Sequence, residues 1–200
     1  MYHLINKVVE TINFDSISAD RKTELQRLID YIQVKKDAGV EANLIFVCTH
    51  NSRRSQFSQI WAKVAAEQYG IAINSFSGGV EVTEFNKKAV ESLKRFGFSV
   101  DGEGGRNGKY TVEFDIQCKA VDAFSKLVED EANPKENFAA IMTCADADEN
   151  CPIVVGCEDR IPIRYDDPKV FDDSPLEFAM YDYRSFEIAT EMFYVFSRIK

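Results

Sequence analysis

The chain has 200 residues and a net charge of −9 at neutral pH, because 33 acidic side chains outnumber 24 basic ones. This length suits one domain with or without an appendage, and it allows a hydrophobic core that needs no disulfide or metal for support. The acidity disfavours nucleic acids and anionic membranes as partners, because both bind clustered positive charge.

The first 40 residues predict a helical amino-terminal extension. Two apolar stripes at helical spacing indicate two helices. The stripes consist of Leu4, Val8 and Ile12, and of Leu25, Leu28, Ile29 and Ile32. Asp15-Ser16 separates the helices and is expected to cap the second, which ends at Ala38-Gly39.

From residue 41 onward, short apolar runs alternate with amphipathic stretches, which is typical of parallel strands joined by helices. The patterns predict strands and helices, here listed by residue numbers: strands 43–48, 71–77, 138–144 and 160–165; helices 56–69, 84–96, 119–132 and 182–199. Residues 99–109 are predicted to form a glycine-rich loop. Pro162 favours an edge position for the last strand. The fold class is therefore α/β, a three-layer domain at 41–200 with a four-stranded, mainly parallel sheet.

Five cysteines occupy positions 48, 118, 144, 151 and 157. No apolar run approaches the ~18 residues of a membrane span, and the first residues lack the apolar core of a secretory signal. We therefore expect a cytoplasmic protein, in which cysteines are catalytic groups, metal ligands or buried residues and not a disulfide framework. Zinc ligands usually lie about 2–4 residues apart, and the chain has only two histidines, so we predict no metal and no cofactor.

The residues after the first predicted strand have the features of an oxyanion site. Cys48 ends the strand, a helix follows, and the loop between them reads Thr49, His50, Asn51, Ser52, Arg53, Arg54 and Ser55. Backbone N–H groups of such a loop point at one centre and bind anions. Arg54 can return over that centre as a bidentate fork, and the positive field favours a Cys48 thiolate. The pattern therefore predicts that Cys48 is a nucleophile that attacks phosphorus or arsenic. The alternative is that Cys48 is simply a buried residue at the end of a strand and that the loop is polar by chance.

The Cys-x5-Arg-Ser pattern from Cys48 to Ser55 resembles the signature of the low-molecular-weight protein tyrosine phosphatase superfamily. Tyr165-Asp166-Asp167-Pro168 looks like the Asp-Pro loop of this family, which supplies the general acid, here Asp167. By itself an Asp-Pro pair usually marks only a turn. The resemblance covers about residues 43–200 and implies that Asn51, Ser52 and Ser55 support the loop and the thiolate.

Cys144 and Cys151, seven residues apart, are similar to the redox segment of the thioredoxin-coupled arsenate reductases, which share the phosphatase fold. The resemblance implies that Cys48 attacks arsenate and that Asp167 protonates the departing oxygen. Cys144 then attacks Cys48, Cys151 attacks Cys144, and a thioredoxin-like partner reduces the 144–151 disulfide. Two merely buried cysteines remain the simpler alternative.

Two other functions remain open. A phosphatase acting on phosphotyrosine or a small phosphate ester would use Cys48, Arg54 and Asp167 and would not need the cysteine pair. The other is an oxyanion-binding or regulatory module without activity, whose residues 1–40 recruit a partner. His50 would favour this function, because it stands where the family usually has glycine and is expected to narrow the loop. Gln59 stands where the family has a cation-binding Glu, which puts that potassium-type site in doubt.

Overall fold

The computed structural model of the chain describes residues 1–102, 107–150 and 154–200. The elements in chain order are α1 (His3–Glu10), α2 (Ala19–Asp37), β1 (Ala42–Cys48), α3 (Arg54–Tyr69), β2 (Ile73–Gly79), α4 (Lys87–Arg95), β3 (Ser99–Gly102), β4 (Tyr110–Glu113), β5 (Val121–Ala123), β6 (Phe138–Met142), α5 (Ala145–Asn150), β7 (Cys157–Pro162) and α6 (Glu177–Ser197). Short 3-10 turns lie at Phe14–Ser16 and Pro168–Phe171.

The main sheet has four strands in the order β2-β1-β6-β7, and all its pairings are parallel. The predicted α/β class is therefore confirmed, and β7, the strand that ends at Pro162, lies at an edge as expected. In the register of β1 and β2, Cys48 lies opposite Gly79. The carboxyl ends of the strands thus meet at one edge of the sheet, where ligands bind in folds of this type.

Both faces of the sheet are buried, as the apolar run in β1 indicates. Leu44 and Phe46 join the larger apolar cluster, which includes side chains of α2, α3 and α6. Ile45 and Val47 point to the opposite face, which Ala147 of α5 and nearby loop residues cover. Helices therefore flank the sheet on both sides. Within the described residues, no helix combines the length and apolar character needed to cross a bilayer.

The two amino-terminal helices pack into the same core as the sheet. The stripe predicted for α2 is buried. The one predicted for the first helix is only partly right: Val8 and Ile12 pack against the core, but Leu4 is 47% exposed and Ile5 is buried instead. Ser18 caps α2 by accepting from the Arg21 N–H, so the cap expected at Asp15-Ser16 is also wrong. The division into an extension at 1–40 and a domain at 41–200 remains a prediction.

The segment from residue 99 to 132 differs most from its prediction. In place of a loop at 99–109 and a helix at 119–132, β3, β4 and β5 form a small antiparallel sheet. Val121 and Ala123 are buried and Asp122 is exposed, which is the two-residue alternation of a strand. Pairing with β4 determines this structure, because three residues are too few for the sequence alone to indicate a strand. Cys118 therefore precedes a strand. Residues 103–106 of the predicted loop lie outside the described residues.

Three helices begin at different residues than predicted, and the first of them, α3, begins at Arg54 and not at 56. Helix α4 begins at Lys87 and not at 84, because the Asn86 side chain accepts from the Lys88 N–H at 2.9 Å and caps the helix there. Helix α6 begins at Glu177 and not at 182.

One lysine is buried beside the small sheet. Lys126 is 3% exposed, its Nζ lies 3.4 Å from Ser77 Oγ, and burial lowers its pKa to about 8. The unfolded chain holds this proton up to a higher pH, so below about pH 8 the folded state carries the full cost of the buried charge.

We expect Lys126→Met to raise the free energy of unfolding at neutral pH by ~1–3 kcal/mol. This gain should shrink as the pH rises toward the unfolded value of 10.5. Urea unfolding at neutral pH and near about pH 9.5 measures both effects. The exposed Lys119, changed to Met, is the matched control and should change neither value. A less stable Lys126→Met chain at neutral pH would contradict the expectation.

Candidate functional site

The predicted oxyanion loop connects β1 to α3. Cys48 is 3% exposed, and its Sγ lies 3.1 Å from the Oγ of Ser55. The Nδ2 of Asn51 donates to the same Ser55 oxygen at 2.9 Å. Because this oxygen already accepts a hydrogen bond, the Ser55 proton is free to point at the Cys48 sulfur. The chain Asn51–Ser55–Cys48 therefore directs a hydrogen-bond donor at the Cys48 sulfur.

Asn51 gives the loop its shape. The residue is fully buried with a φ of 45°, in the left-handed region where asparagine is tolerated better than most side chains. Its Oδ1 accepts from the backbone N–H of Lys126 at 3.0 Å, and its carbonyl accepts from Gln56 Nε2 at 3.0 Å. Ser52 is also buried, and its carbonyl accepts from the Asn86 N–H. Three separate segments therefore hold the loop in one conformation.

Gly79, the residue opposite Cys48, lies directly against this loop. A Cβ at position 79 would lie 2.8 Å from the Asn51 nitrogen and 2.8 Å from the Glu81 carbonyl oxygen, both rigid backbone atoms. Only glycine therefore allows β2 to approach the loop this closely. The sequence signal for this close approach is the Gly78-Gly79 pair, whose position does not by itself point to the loop.

We expect Gly79→Ala to displace the loop and to lower kcat/KM by at least about tenfold, because small displacements of a catalytic group have large effects. Stability should fall by ~1–3 kcal/mol. Gly39→Ala is the control: the new Cβ meets no atom within 4 Å, but the φ of +69° disfavours alanine. It should cost stability without changing kcat/KM. Equal kinetic effects of the two variants would exclude a specific contact with the loop.

Arg54 links the loop to the predicted Asp-Pro loop. Its Nη2 donates to Asp167 Oδ2 at 2.8 Å, and its Nη1 donates to the Tyr165 carbonyl at 3.0 Å. The side chain of Arg54 is 12% exposed and that of Asp167 is 24% exposed. The structure therefore places the predicted anion fork and the predicted general acid in direct contact, although 113 residues separate them.

A second set of residues supports the Asp-Pro loop and was not predicted. Arg53 Nε donates to the Tyr181 hydroxyl at 2.9 Å, and that hydroxyl donates to Asp172 Oδ1 at 2.9 Å. Burial raises the pKa of Tyr181 to about 12, so it remains a neutral donor. Lys88 Nζ lies 3.4 Å from Asp172. Asp172 is therefore part of a network and not simply a solvated residue.

The side chain of His50 faces away from the loop centre. Its Nε2 lies 3.4 Å from Glu81 Oε2, and the imidazole is 41% exposed. The His50 carbonyl accepts from the hydroxyls of Ser125 and Thr83. The prediction that the His50 side chain narrows the loop is therefore wrong.

Cys144 lies beside the loop, two residues past the end of β6. It is 1% exposed, and its Sγ lies 3.5 Å from Thr49 Oγ1 and accepts from the Ala147 N–H at 3.3 Å. Thr49 also donates to Asp146 at 2.6 Å. Cys151 lies outside the described residues. Burial raises the pKa of the half-buried Cys157 thiol, which is consistent with an inert thiol at that position.

Helix α5, which follows Cys144, is tied to β7 and the residues after it by charge. The side chain of Asp148 is 5% exposed and forms ion pairs with Arg160 and Arg164. In the described part of the chain, no group of three or more His, Cys, Asp or Glu side chains could hold a metal ion.

Comparisons with known proteins agree with this geometry. No protein-family model matches the chain. An arsenate reductase of Staphylococcus aureus (strain N315) is 30% identical over 125 residues, which cover 62% of this chain and 77% of the relative. Arsenate reductase 2 of Staphylococcus saprophyticus is 29% identical with the same coverage.

Two solved structures have the same fold. One is an arsenate reductase in the phosphate binding state, with a TM-score of 0.51 and 16% identity over 80% of this chain and 99% of the other. The second is a low-molecular-weight phosphotyrosine phosphatase of Vibrio cholerae, with a TM-score of 0.52 and 12% identity over 76% and 92%.

Proposed function

The chain belongs to the low-molecular-weight protein tyrosine phosphatase superfamily, beside the arsenate reductases, and from this premise we propose that it reduces arsenate to arsenite. It is an enzyme of this type that acts on a small oxyanion. The observation that carries the finer proposal is Cys144, whose thiol contacts Thr49 of the catalytic loop at 3.5 Å. Hydrolysis of a phosphate ester has no use for a second thiol there, whereas reduction requires one.

The first step is nucleophilic attack in the loop. Backbone N–H groups of residues 49–54 and the fork of Arg54 hold arsenate, and Thr49, His50, Ser52 and Arg53 supply part of this cradle. The Cys48 thiolate, stabilised by the Ser55 hydroxyl, forms a bond to arsenic. Asp167, in contact with Arg54, protonates the departing oxygen, which leaves as water.

The second step transfers electrons to arsenic. The Cys144 thiolate attacks the Cys48 sulfur, and the sulfur–arsenic bond breaks with its electron pair moving to arsenic, so that arsenite leaves. Cys48 and Cys144 are then joined by a disulfide. The Thr49 hydroxyl, which contacts both Cys144 and Asp146, positions the attacking thiol at the loop.

The third step restores the nucleophile. Cys151 attacks the Cys144 sulfur, frees the Cys48 thiolate and leaves a 144–151 disulfide. The dithiol of a thioredoxin-like partner reduces this bond and becomes oxidised itself. A cytoplasmic location, which would supply this reductant, is part of the proposal, as is the division into an extension at 1–40 and a catalytic domain at 41–200.

Helix α5 must move for Cys144 to exchange partners, and Asp148 opposes that motion. We expect Asp148→Asn to weaken the contacts with Arg160 and Arg164 and to lower the amide-exchange protection of residues 145–150 by about tenfold or more. Hydrogen exchange followed by mass spectrometry measures this change. Asp30→Asn is the control, because Asp30 lies on an exposed face of α2 and, within the described residues, accepts only from Gln26. Unchanged exchange in Asp148→Asn would show that the ion pairs do not restrain the helix.

A phosphatase is the second candidate, because Cys48, Arg54 and Asp167 suffice for ester hydrolysis without Cys144. The likeness in fold to the Vibrio cholerae phosphatase favours it. The inactive binding module is less favoured, because His50 contacts Glu81 and does not fill the loop.

A two-substrate assay tests the proposal. Arsenate is supplied with thioredoxin, thioredoxin reductase and NADPH, and an aryl phosphate is supplied separately. We expect arsenate-dependent NADPH oxidation that Cys48→Ser abolishes. Hydrolysis of the aryl phosphate without any arsenate-dependent oxidation would reject the reductase and support the phosphatase.

A further inference from the structure

Four lysines surround a cavity of about 370 Å³ on the side of the molecule that carries the small antiparallel sheet. They are Lys63, Lys109, Lys119 and Lys126. Asp122 also lines the cavity, and Lys63 is paired with Glu67 at 2.5 Å. The excess of positive charge is unusual in a chain with a net charge of −9. The residues of the catalytic loop, 49–54, are not part of the described lining.

Lys126 differs from Lys109 and Lys119 in being buried, with 3% of the residue exposed. Its ammonium makes one long hydrogen bond, to Ser77, and lies 4.5 Å from the centre of the Phe124 ring. The ammonium of Lys109 lies 4.8 Å from the centre of the same ring. The two ammonium groups repel each other across this ring. Asp122 and Asp130 attract Lys126 from a distance, but within the described residues neither forms an ion pair with it. A buried charge without a close partner is costly, and an anion bound in the cavity would offset that cost.

The cavity does not fit a cation. Gln59, which stands where a cation-binding Glu was expected, donates its Nε2 to the Ser75 carbonyl at 3.2 Å. Gln59 and Lys126 line the same cavity, and burial together with Lys109 lowers the pKa of Lys126 to about 8. A metal ion would add positive charge where four lysines already meet.

We propose that this lysine cavity binds a small polyanion, a molecule with two or more phosphate or carboxylate groups. The volume suits a metabolite-sized ligand, since small-molecule sites begin at roughly 300 Å³. Its charged groups pair with Lys109, Lys119 and Lys126. The Gln59 Oε1, which has no hydrogen-bond partner within the described residues, accepts from a hydroxyl of the ligand.

Calorimetric titration with pyrophosphate and with citrate tests the proposal. The full chain carries Arg54→Ala, which weakens anion binding at the loop 49–54, and the lysine variants below assign the remaining binding to the cavity. We expect a dissociation constant below about 1 mM for at least one probe. Lys126→Met, added to this background, should weaken binding by about tenfold or more. Lys7→Met, at an exposed position of α1, is the matched control and should have no effect.

The double change Lys109→Met with Lys119→Met removes two exposed charges and should weaken binding by a similar factor without disturbing the fold. The double variant therefore tests whether the lysine cavity binds the anion even if Lys126→Met fails to fold. Binding that is equally tight in the double variant overturns the proposal, as does the absence of heat with both probes at concentrations up to about 10 mM.

Discussion

Cys48→Ser is expected to abolish both arsenate reduction and aryl phosphate hydrolysis, with kcat/KM falling by at least about 10⁴-fold, or ~5.4 kcal/mol in barrier terms. Both reactions begin with the same sulfur, which the Asn51–Ser55 pair supports in a loop built for an oxyanion. Serine is close in size, so the fold and the loop should persist, with the free energy of unfolding changed by no more than about 1 kcal/mol. Steady-state kinetics and urea unfolding measure the two quantities.

Two other cysteines provide matched controls for this variant. Cys118→Ser and Cys157→Ser change thiols that are half-buried and lie outside the loop, and they should retain near-normal kinetics. Residual activity of Cys48→Ser within about tenfold of wild type would contradict a nucleophilic role, because such a loss is only ~1.4 kcal/mol. Comparable losses in all three variants would point to general thiol damage and not to a single nucleophile.

The core of the candidate site was predictable because its signal is local. A buried strand, a polar loop and a helix start are adjacent in sequence, and this order alone places Cys48 and Arg54 at the carboxyl edge of the sheet. Asp167 follows β7 of the same parallel sheet, so its approach to Arg54 follows from topology. The hydrogen bond between Arg53 and Tyr181 was not predicted, because it depends on how α6 packs against the loop. No local sequence pattern indicates that packing.

The fold was predictable where an apolar pattern extended over several turns of a helix. The prediction failed where the secondary structure depends on pairing between short strands. The stripe of α2 spans several turns and was correct, whereas the shorter α1 buried Ile5 in place of Leu4. The small sheet at 99–123 consists of strands of three or four residues, and only contacts between them distinguish such runs from a helix. The lysine cavity lies between that sheet, α3 and β2, so no local sequence pattern indicates it.

Cys144→Ser is expected to stop repeated arsenate reduction with thioredoxin, allowing at most one turnover, while hydrolysis of an aryl phosphate stays within about threefold of wild type. The thiol lies 3.5 Å from the Thr49 hydroxyl, so it is close to the loop without belonging to the Cys48, Arg54 and Asp167 set. Removing it leaves the first step intact and blocks the second. The ratio of the two activities in one variant therefore separates reduction from hydrolysis, and a loss of folding would lower both.

Cys151→Ser should trap the preceding intermediate, a 48–144 disulfide, because the thiol that would release Cys48 is gone. Peptide mapping after one equivalent of arsenate measures this bond, and wild type treated in the same way should show a 144–151 disulfide. Cys144 already contacts Thr49 beside Cys48, so the trapped bond should form in high yield. Mapping that finds every thiol free in wild type would contradict reduction by this route, and the phosphatase that needs only Cys48, Arg54 and Asp167 would then explain the site.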